Sequence, residues 1–301
     1  MSRITLAART LVLIFVLVVV PGRAPFAELA FGQGLLWRVE APGVAPSHVF
    51  GTFHSSDPKI VALPPPVRMA LDESRSLTVE VVFDGAARAV LARAMMLGAD
   101  RSLSGMLAPE LRAAAADVAA AYGLPPVAFD RFKPWALALV FSQSPEEQAR
   151  QAAGEAVLDE RLQQAAQSRG IPVYGLETVT EQVAILDGMS EADQVAYLRA
   201  ATKSHAELGA ALATVRAAYL RQDLAAIDAL MRREFAKGDP QFHRTFEERM
   251  FTARNRRMVA RMAARLEEGG AFIAVGALHL PGEAGVLCLL ERDGYRVLRV
   301  F

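Results

Sequence analysis

The chain has 301 residues with 33 basic and 33 acidic side chains, and 52% of its residues are hydrophobic. This balance of charge argues against a nucleic-acid-binding protein, which would carry an excess of Lys and Arg on one face. The chain holds one cysteine, Cys288, and therefore no internal disulfide. Its length suits one large α/β domain or two small ones.

Residues 1–27 have the pattern of a signal peptide or an N-terminal anchor. Arg3 and Arg9 precede an uncharged apolar run over residues 11–20. The run has the length of a signal-peptide h-region and is short for a transmembrane helix. The pattern of small residues at a cleavage site is interrupted by Pro25, so an uncleaved anchor is an alternative. We therefore expect a periplasmic or secreted protein, either released or held at the membrane by this segment.

After residue 27, the sequence pattern predicts strands that alternate with helices. Short apolar runs bounded by Gly and Pro predict strands over Leu35–Val39 and from His48 into the sequence Gly51-Thr52-Phe53-His54. A helix opened by proline is predicted over Pro64–Ser74, and a further strand over Leu77–Phe83. One histidine thus stands at the end of a buried strand that leads into a helix.

The middle of the chain, from about residue 86 to 170, is mostly helical in pattern. Ala-rich amphipathic segments are predicted at 109–122, 133–143 and 146–168. A short strand over Ile171–Tyr174 follows, and then more helix up to about residue 269. No linker is long enough to separate two domains. Residues 28–301 are therefore predicted to form one α/β domain with a helical insertion or cap at about 86–170.

The last 31 residues of the chain repeat the arrangement found near residue 51. A buried strand over Ala271–Val275 ends in Gly276-Ala277-Leu278-His279, and a helix to Arg292 and a strand over Tyr295–Phe301 follow. Two Gly-x-x-His elements therefore follow two predicted strands. A glycine three residues before each histidine allows a sharp turn of the backbone and the close approach of a bound group.

Four predicted strands end at a candidate ligand or catalytic residue: His54, Glu80, Glu177 and His279. In open α/β sheets, ligands collect outside the carboxyl ends of the strands. If these strands are parallel neighbours, two imidazoles and two carboxylates meet at one edge. Such a set can hold a divalent cation and leave positions open for water or substrate.

Each of these residues also has a structural interpretation, which the sequence leaves open. A single histidine at a strand end is more often a hydrogen-bonded loop residue than a ligand. Glu80 could face water from an edge strand, and Glu177 could stabilise the N-terminus of the next helix. Gly-x-x-His occurs after two predicted strands that each lead into a helix, and this recurrence favours the functional interpretation.

Arg254 and Asn255 lie next to each other in a predicted helix. Neighbouring helical residues point about 100° apart, so we expect only one of the two to face the core fully. An exposed basic helix is the favoured interpretation because Arg256, Arg257 and Arg261 lie close by. In the functional alternative, Arg254 or Asn255 reaches a cleft and holds a carboxylate, a phosphate or a developing oxyanion.

The chain carries further motifs in a defined order: GTFH at 51–54, an acidic strand at 78–84, LDERL at 158–162, GLETVTEQ at 175–182, RN at 254–255 and GALHLPGEAGVLCLLERDGY at 276–295. Together these motifs resemble the TraB/PrgY/GumN family, which includes the animal Wnt-inactivating Tiki proteases. The resemblance implies an α/β fold with a mixed central sheet flanked by helices, akin to erythromycin-esterase and ChaN-like proteins.

The resemblance also implies a metal site. Tiki-like members are described as metal-dependent proteases, so His54, His279 and Glu80 are the expected ligands of a divalent ion such as manganese, cobalt or zinc. An ion held in this way would lower the pKa of a bound water, which then attacks a carbonyl group.

The expected catalytic residues are Glu80, Glu177, Arg254 and Asn255, which match motifs of the family. We therefore predict an exported metal-dependent hydrolase, a Tiki-like peptidase that acts on a peptide or protein, with either glutamate as the general base. The alternative is a non-catalytic binding protein for a peptide, a signal molecule or a haem-type ligand. Loss of metal should abolish hydrolysis but leave the ligand affinity of a binding protein largely intact.

Overall fold

The computed structural model describes residues 29–235 and 240–301. The predicted signal peptide or anchor, residues 1–27, lies outside the described residues. Within the described ranges, no helix has the length and apolar character needed to cross a membrane.

Strands in the described ranges form one mixed sheet, in the spatial order β4-β3-β5-β2-β1-β6. Their bounds are β1 Leu36–Glu40, β2 Ser47–Thr52, β3 Ser76–Val79, β4 Val173–Gly175, β5 Ala271–Gly276 and β6 Arg296–Arg299. The neighbours β4, β3, β5 and β2 are parallel to one another. Strand β1 is antiparallel to both of its neighbours, β2 and β6. The predicted α/β class with a mixed central sheet is confirmed.

The central parallel strands are buried because helices cover both faces of such a sheet, and their sequences are accordingly continuous apolar runs. Every residue of β5 from Ala271 to Val275 is buried, and so is every residue of β3. The rings of Phe50 and Phe272 lie 5.9 Å apart in this core. Because β2, β3 and β4 are parallel to β5 or to its neighbour, their carboxyl ends lie at the same edge of the sheet.

Helices make up most of the remaining chain. Their bounds are α1 Pro58–Val61, α2 Pro65–Asp72, α3 Gly85–Ala94, α4 Pro109–Ala121, α5 Pro126–Phe129, α6 Pro134–Phe141, α7 Pro145–Ala152, α8 Leu158–Ser168, α9 Val179–Asp187, α10 Glu191–Ser204, α11 Leu208–Leu220, α12 Leu224–Phe235, α13 Pro240–Glu247, α14 Ala253–Glu268 and α15 Val286–Arg292. Short 3₁₀ turns occupy Leu103–Gly105, His205–Glu207 and Ala277–His279, and a π-helical segment occupies Glu248–Thr252.

The chain divides into two compact units. The helical unit comprises Phe83–Glu155 and Val179–Ala213. Its centre is α6, in which all eight residues are buried and which packs against α10. Helix α6 is therefore enclosed on all sides, although the pattern of segment 133–143 predicted an amphipathic helix. A helix that is apolar all round is a core helix.

The sheet unit comprises residues 29–82, Ala156–Thr178 and Thr214–Phe301. It contains all six strands named above, and α8, α14 and α15 pack within it against β3, β5 and β6. The predicted insertion at about 86–170 includes α8, which packs in the sheet unit rather than in the helical one. Every residue that was predicted to form the site lies in the sheet unit.

Candidate active site

The four parallel strands end at one edge, and each is followed there by one of the predicted residues. His54 comes two residues after β2, Glu80 directly after β3, Glu177 two residues after β4, and His279 at the end of the 3₁₀ turn that follows β5. All four are buried, with exposed fractions between 4% and 8%. Glu80 does not face water from an edge strand, because β3 lies between β4 and β5.

Arg254 of α14 connects three of these strand ends. Its Nη2 atom donates to Glu80 Oε2 at 2.5 Å and to Glu177 Oε2 at 2.6 Å. Its Nη1 atom lies 3.1 Å from His279 Nε2. Arg254 is 2% exposed, so these partners replace the water that the guanidinium would otherwise bind. One side chain from a helix thus holds the residues that follow β3, β4 and β5.

Glu177 is shared between two arginines. Arg254 binds its Oε2 atom, and both Nε and Nη2 of Arg257 bind its Oε1 atom, with Nε at 3.1 Å. Burial raises the pKa of Glu177, but the hydrogen bonds and charges of the two arginines outweigh burial and hold it below its usual value. Glu177 is therefore an ionised carboxylate, and each of its two oxygens accepts from one arginine.

Glu80 is also ionised. Burial raises its pKa, and this effect is outweighed by the charge of Arg254, by His279 and by the backbone N–H of Gly276, so that the pKa lies below its usual value. The Gly276 N–H donates to Glu80 Oε1 at 2.6 Å. The negative charge of Asp159 has the opposite effect and raises the pKa of Glu80.

His279 is held in one tautomer by Asn255. The Nδ2 group of Asn255 donates to the carbonyl oxygen of Ala284 at 2.8 Å, so its Oδ1 atom faces His279 Nδ1 at 2.6 Å as an acceptor. His279 Nδ1 therefore carries the proton, and Nε2 presents its lone pair to the guanidinium of Arg254. Burial lowers the pKa of His279 to about 4, and the charge of Arg254 acts in the same direction. His279 is neutral at neutral pH.

Both Arg254 and Asn255 face the protein interior, with exposed fractions of 2% and 3%. The expectation that only one of them faces the core is wrong, and so is the interpretation of an exposed basic helix at these two positions. The first turn of α14 is enclosed on two sides. Arg254 contacts the ends of the strands, while Asn255 contacts the chain segment from His279 to Ala284.

His54 has a different partner, Asp159 in the first turn of α8. His54 Nδ1 lies 3.0 Å from Asp159 Oδ2, and Thr52 Oγ1 donates to Asp159 Oδ1 at 2.7 Å. Burial raises the pKa of Asp159, but its hydrogen bond with His54 and the charge of His54 outweigh burial and lower it. An ionised carboxylate only accepts, so Nδ1 of His54 carries a proton. The Nε2 atom is buried and has no hydrogen-bond partner among the described residues.

The sequence did not identify Asp159 or Arg257 as site residues. Asp159 lies 105 positions from His54 and Arg257 lies 80 positions from Glu177, so no local periodicity connects either pair. Asp159 does fall in the LDERL motif at 158–162, which was the available signal.

The described side chains do not fit a metal ion held jointly by His54, Glu80 and His279. Among the side chains that the structure describes, no three from His, Cys, Asp or Glu are placed to bind one ion. Arg254 explains why, because its positive guanidinium lies against Glu80 and donates a hydrogen bond to the lone pair of His279 Nε2. A divalent cation at that point would meet a like charge. The predicted metal ion stays a prediction.

The glycines of the two Gly-x-x-His elements are needed for close packing. Neither has a positive φ angle, so a sharp left-handed turn is not their role. A Cβ atom at Gly51 would lie 2.8 Å from the Leu280 side chain and 3.0 Å from the Ala277 backbone. A Cβ atom at Gly276 would lie 3.1 Å from Glu80 Oε1. The glycines therefore let β2, the His279 turn and Glu80 approach one another.

The chain was compared with known proteins. No curated protein and no solved structure matches it. The model of the TraB/PrgY/gumN family matches residues 35–299, which include both Gly-x-x-His elements and every residue of the site described above. The chain therefore belongs to the TraB/PrgY/gumN family.

Proposed function

We propose that this protein is a hydrolase in which His54, oriented by Asp159, activates a water molecule as a general base. The observation that carries the proposal is the His54–Asp159 pair, in which Nδ1 is held by a carboxylate and the buried Nε2 has no partner among the described residues. The resemblance to Tiki-like proteases favours a peptide or protein as the substrate.

The pair has the features that a general base requires. Asp159 keeps the imidazole in the tautomer whose Nε2 lone pair can take a proton, and Thr52 holds the carboxylate from its other oxygen. The ionised Asp159 also stabilises the imidazolium that forms when the proton is taken. An oriented base of this kind contributes about 10²- to 10⁴-fold to a rate.

The proton and bond changes follow from this arrangement. His54 Nε2 takes one proton from a water molecule, while the water oxygen forms a bond to the carbonyl carbon of the substrate. The carbonyl electrons move onto its oxygen and give a tetrahedral intermediate. When they return, the bond to the leaving nitrogen breaks, and the imidazolium of His54 gives its proton to that nitrogen.

The ionised group of Glu80, Glu177, Arg254 and Arg257 supports this chemistry by its rigidity. These residues carry two negative and two positive charges and bind one another. They fix the ends of β3 and β4 at the edge of the sheet where the chain from β2 reaches His54. A catalytic group needs such support from its surroundings to stay in place.

A peptide-library cleavage assay tests the proposal. We expect the wild-type protein to cleave a subset of peptides and His54→Ala to lose about 10²- to 10⁴-fold of the rate. The matched control is His48→Ala, because His48 lies on β2, the strand that precedes His54, and outside the site. A wild-type rate for His54→Ala would contradict the proposal. Peptide binding without cleavage by the wild type would instead favour the non-catalytic alternative.

The same assay with a chelator, together with metal analysis of the purified protein, tests the predicted divalent ion. If His54 acts as the general base without a metal ion, we expect the cleavage rate to be unchanged in chelator. Loss of the rate in chelator and its return with manganese, cobalt or zinc would support the metal-dependent mechanism of the Tiki-like proteases instead.

A further inference from the structure

The two histidines of the paired Gly-x-x-His elements have different surroundings. His54 contacts a carboxylate through Nδ1, and its Nε2 has no partner among the described residues. His279 contacts an amide oxygen through Nδ1 and a guanidinium through Nε2. Two ligands of one ion would be expected to direct a lone pair toward a common point, and these two imidazoles instead have unlike partners.

We infer that His279 is a positioning residue and not a metal ligand: its Nε2 lone pair accepts a hydrogen bond from Arg254 and thereby fixes the guanidinium across the ends of β3, β4 and β5. Asn255 and the Ala284 carbonyl fix the tautomer that this role requires. His54 would then be the reactive histidine of the pair.

The hydrogen-bond inventory of the imidazole supports this assignment. A neutral imidazole has one N–H and one lone pair, and here both are used. Ligation through Nε2 would require Arg254 to move, and its Nη1 group would lose an acceptor in a position that is 2% exposed. Leaving a buried charged donor without its partner is costly.

The two glutamates do not bind the Nη1 group of Arg254, which therefore needs another acceptor. Glu80 and Glu177 bind Nε and Nη2, which leaves Nη1 to His279 and to the Met250 carbonyl at 3.3 Å. The ring of Phe251 lies 5.3 Å from the imidazole and limits its rotation. The four contacts together hold the guanidinium in one orientation.

Nuclear magnetic resonance tests the tautomer without any variant or substrate. Two-bond ¹H–¹⁵N correlation spectra of protein labelled at histidine distinguish the two neutral tautomers. We expect the Nδ1–H form for His279 at neutral pH, with the signal assigned by its absence from His279→Gln. The Nε2–H form or a protonated ring would overturn the inference, because Nε2 could then not accept from Arg254.

Metal binding provides a second, independent measurement. Calorimetric titration with Mn²⁺ and Co²⁺ should give His279→Gln the same affinity as the wild type, since the glutamine oxygen still accepts from Arg254 and glutamine is a weak ligand for these ions. A loss of about 10-fold or more, as expected when a metal site is disrupted, would overturn the inference. Absence of binding by the wild type would support it.

Stability separates the positioning role from simple burial. His279→Ala removes the acceptor, whereas His279→Gln retains one, so we expect His279→Gln to unfold at a higher denaturant concentration than His279→Ala. Equal midpoints would contradict the hydrogen bond to Arg254. None of these measurements uses a substrate. A failure of the proposed hydrolysis therefore leaves this inference standing, and the reverse also holds.

Discussion

Arg254 brings a positive charge into a position that is 2% exposed, and two ionised glutamates make this possible. Moving charged groups from water into the protein interior is unfavourable. The desolvation penalty of a buried ion pair can equal the free energy gained from the attraction between its charges. We therefore infer that Arg254, Glu80 and Glu177 fix the geometry of the strand ends, and that their ion pairs add little net stability. Removing Arg254 takes a buried positive charge away from Glu80 and leaves Glu177 with Arg257 alone of its two arginines.

Arg254→Met is predicted to lower the free energy of unfolding by about 3–5 kcal/mol, because Glu80 then loses its buried ion pair with Arg254 and Glu177 loses one of its two arginines. Urea denaturation followed by circular dichroism measures the change. The matched control is Arg256→Met on the same helix, since its side chain is 66% exposed and pairs with Glu248 at 3.3 Å. An exposed pair of this kind contributes about 0–1 kcal/mol. Similar losses for both variants would show that Arg254 is not the centre of a buried network.

At the scale of elements, the close approach of β2 to the turn that carries His279 sets the geometry of the site. Thr52 of β2 and Gly276 of β5 are register partners, so the two strands end together. Gly51 leaves room for Leu280 and Ala277 of the chain that follows β5. The spacing between the two Gly-x-x-His elements therefore depends on the absence of a side chain at Gly51.

Gly51→Ala is predicted to destabilise the protein by about 1–3 kcal/mol, because the added methyl group overpacks a buried strand end. Gly209 in α11 provides the control, since a Cβ atom there meets nothing within 4 Å. Gly209→Ala should leave the stability unchanged or raise it by about 0.4–1 kcal/mol. Thermal or chemical denaturation of both variants measures the difference. A neutral Gly51→Ala would show that β2 and the His279 turn can move apart without cost.

The strand ends could be predicted from sequence because the signal is local. His54, Glu80, Glu177 and His279 each follow a short apolar run, and the parallel pairing of those runs brings them to one edge. Their partners could not be predicted in this way. Arg254 reaches Glu80 over 174 positions, and Asp159 reaches His54 over 105 positions. Such contacts depend on how helices pack on the sheet, which local periodicity does not encode.

Element boundaries show the same limit. The strand predicted over Leu77–Phe83 ends at Val79, and this places Glu80 outside the strand, where it can meet Arg254. The helix predicted over 146–168 is two helices, α7 and α8, and the second begins with the turn that holds Asp159. A pattern of apolar residues continues across such breaks, so it does not locate them.

At the scale of the whole molecule, the residues of the candidate site all come from the sheet unit. His54, Asp159, Glu177 and His279 belong to the three separate stretches of chain that build this unit. The helical unit has its own core, in which Trp135 Nε1 donates to Asp187 at 2.9 Å. The site is thus complete only in a chain that extends at least to His279.

The N-terminal segment is predicted to direct export. The charged start and the apolar run over residues 11–20 motivate this prediction. Fractionation of a protein tagged at its C-terminus should place it outside the cytosol, and a variant that lacks residues 1–27 should remain inside. Detection of the full-length protein only in the cytosol would contradict the prediction. The size of the exported product also distinguishes a cleaved signal peptide from an uncleaved anchor.

A double-mutant cycle between His54 and Asp159 tests the central claim most directly, namely that these two residues act as one catalytic unit. It requires kcat/KM for the wild type, His54→Ala, Asp159→Asn and the double variant on a peptide from the library. We predict that each single variant loses about 10²- to 10⁴-fold, and that the double variant is no slower than His54→Ala, since residues that act as a unit are non-additive. The account would be contradicted if the rate losses of the two single variants multiplied in the double variant, or if Asp159→Asn kept the wild-type rate.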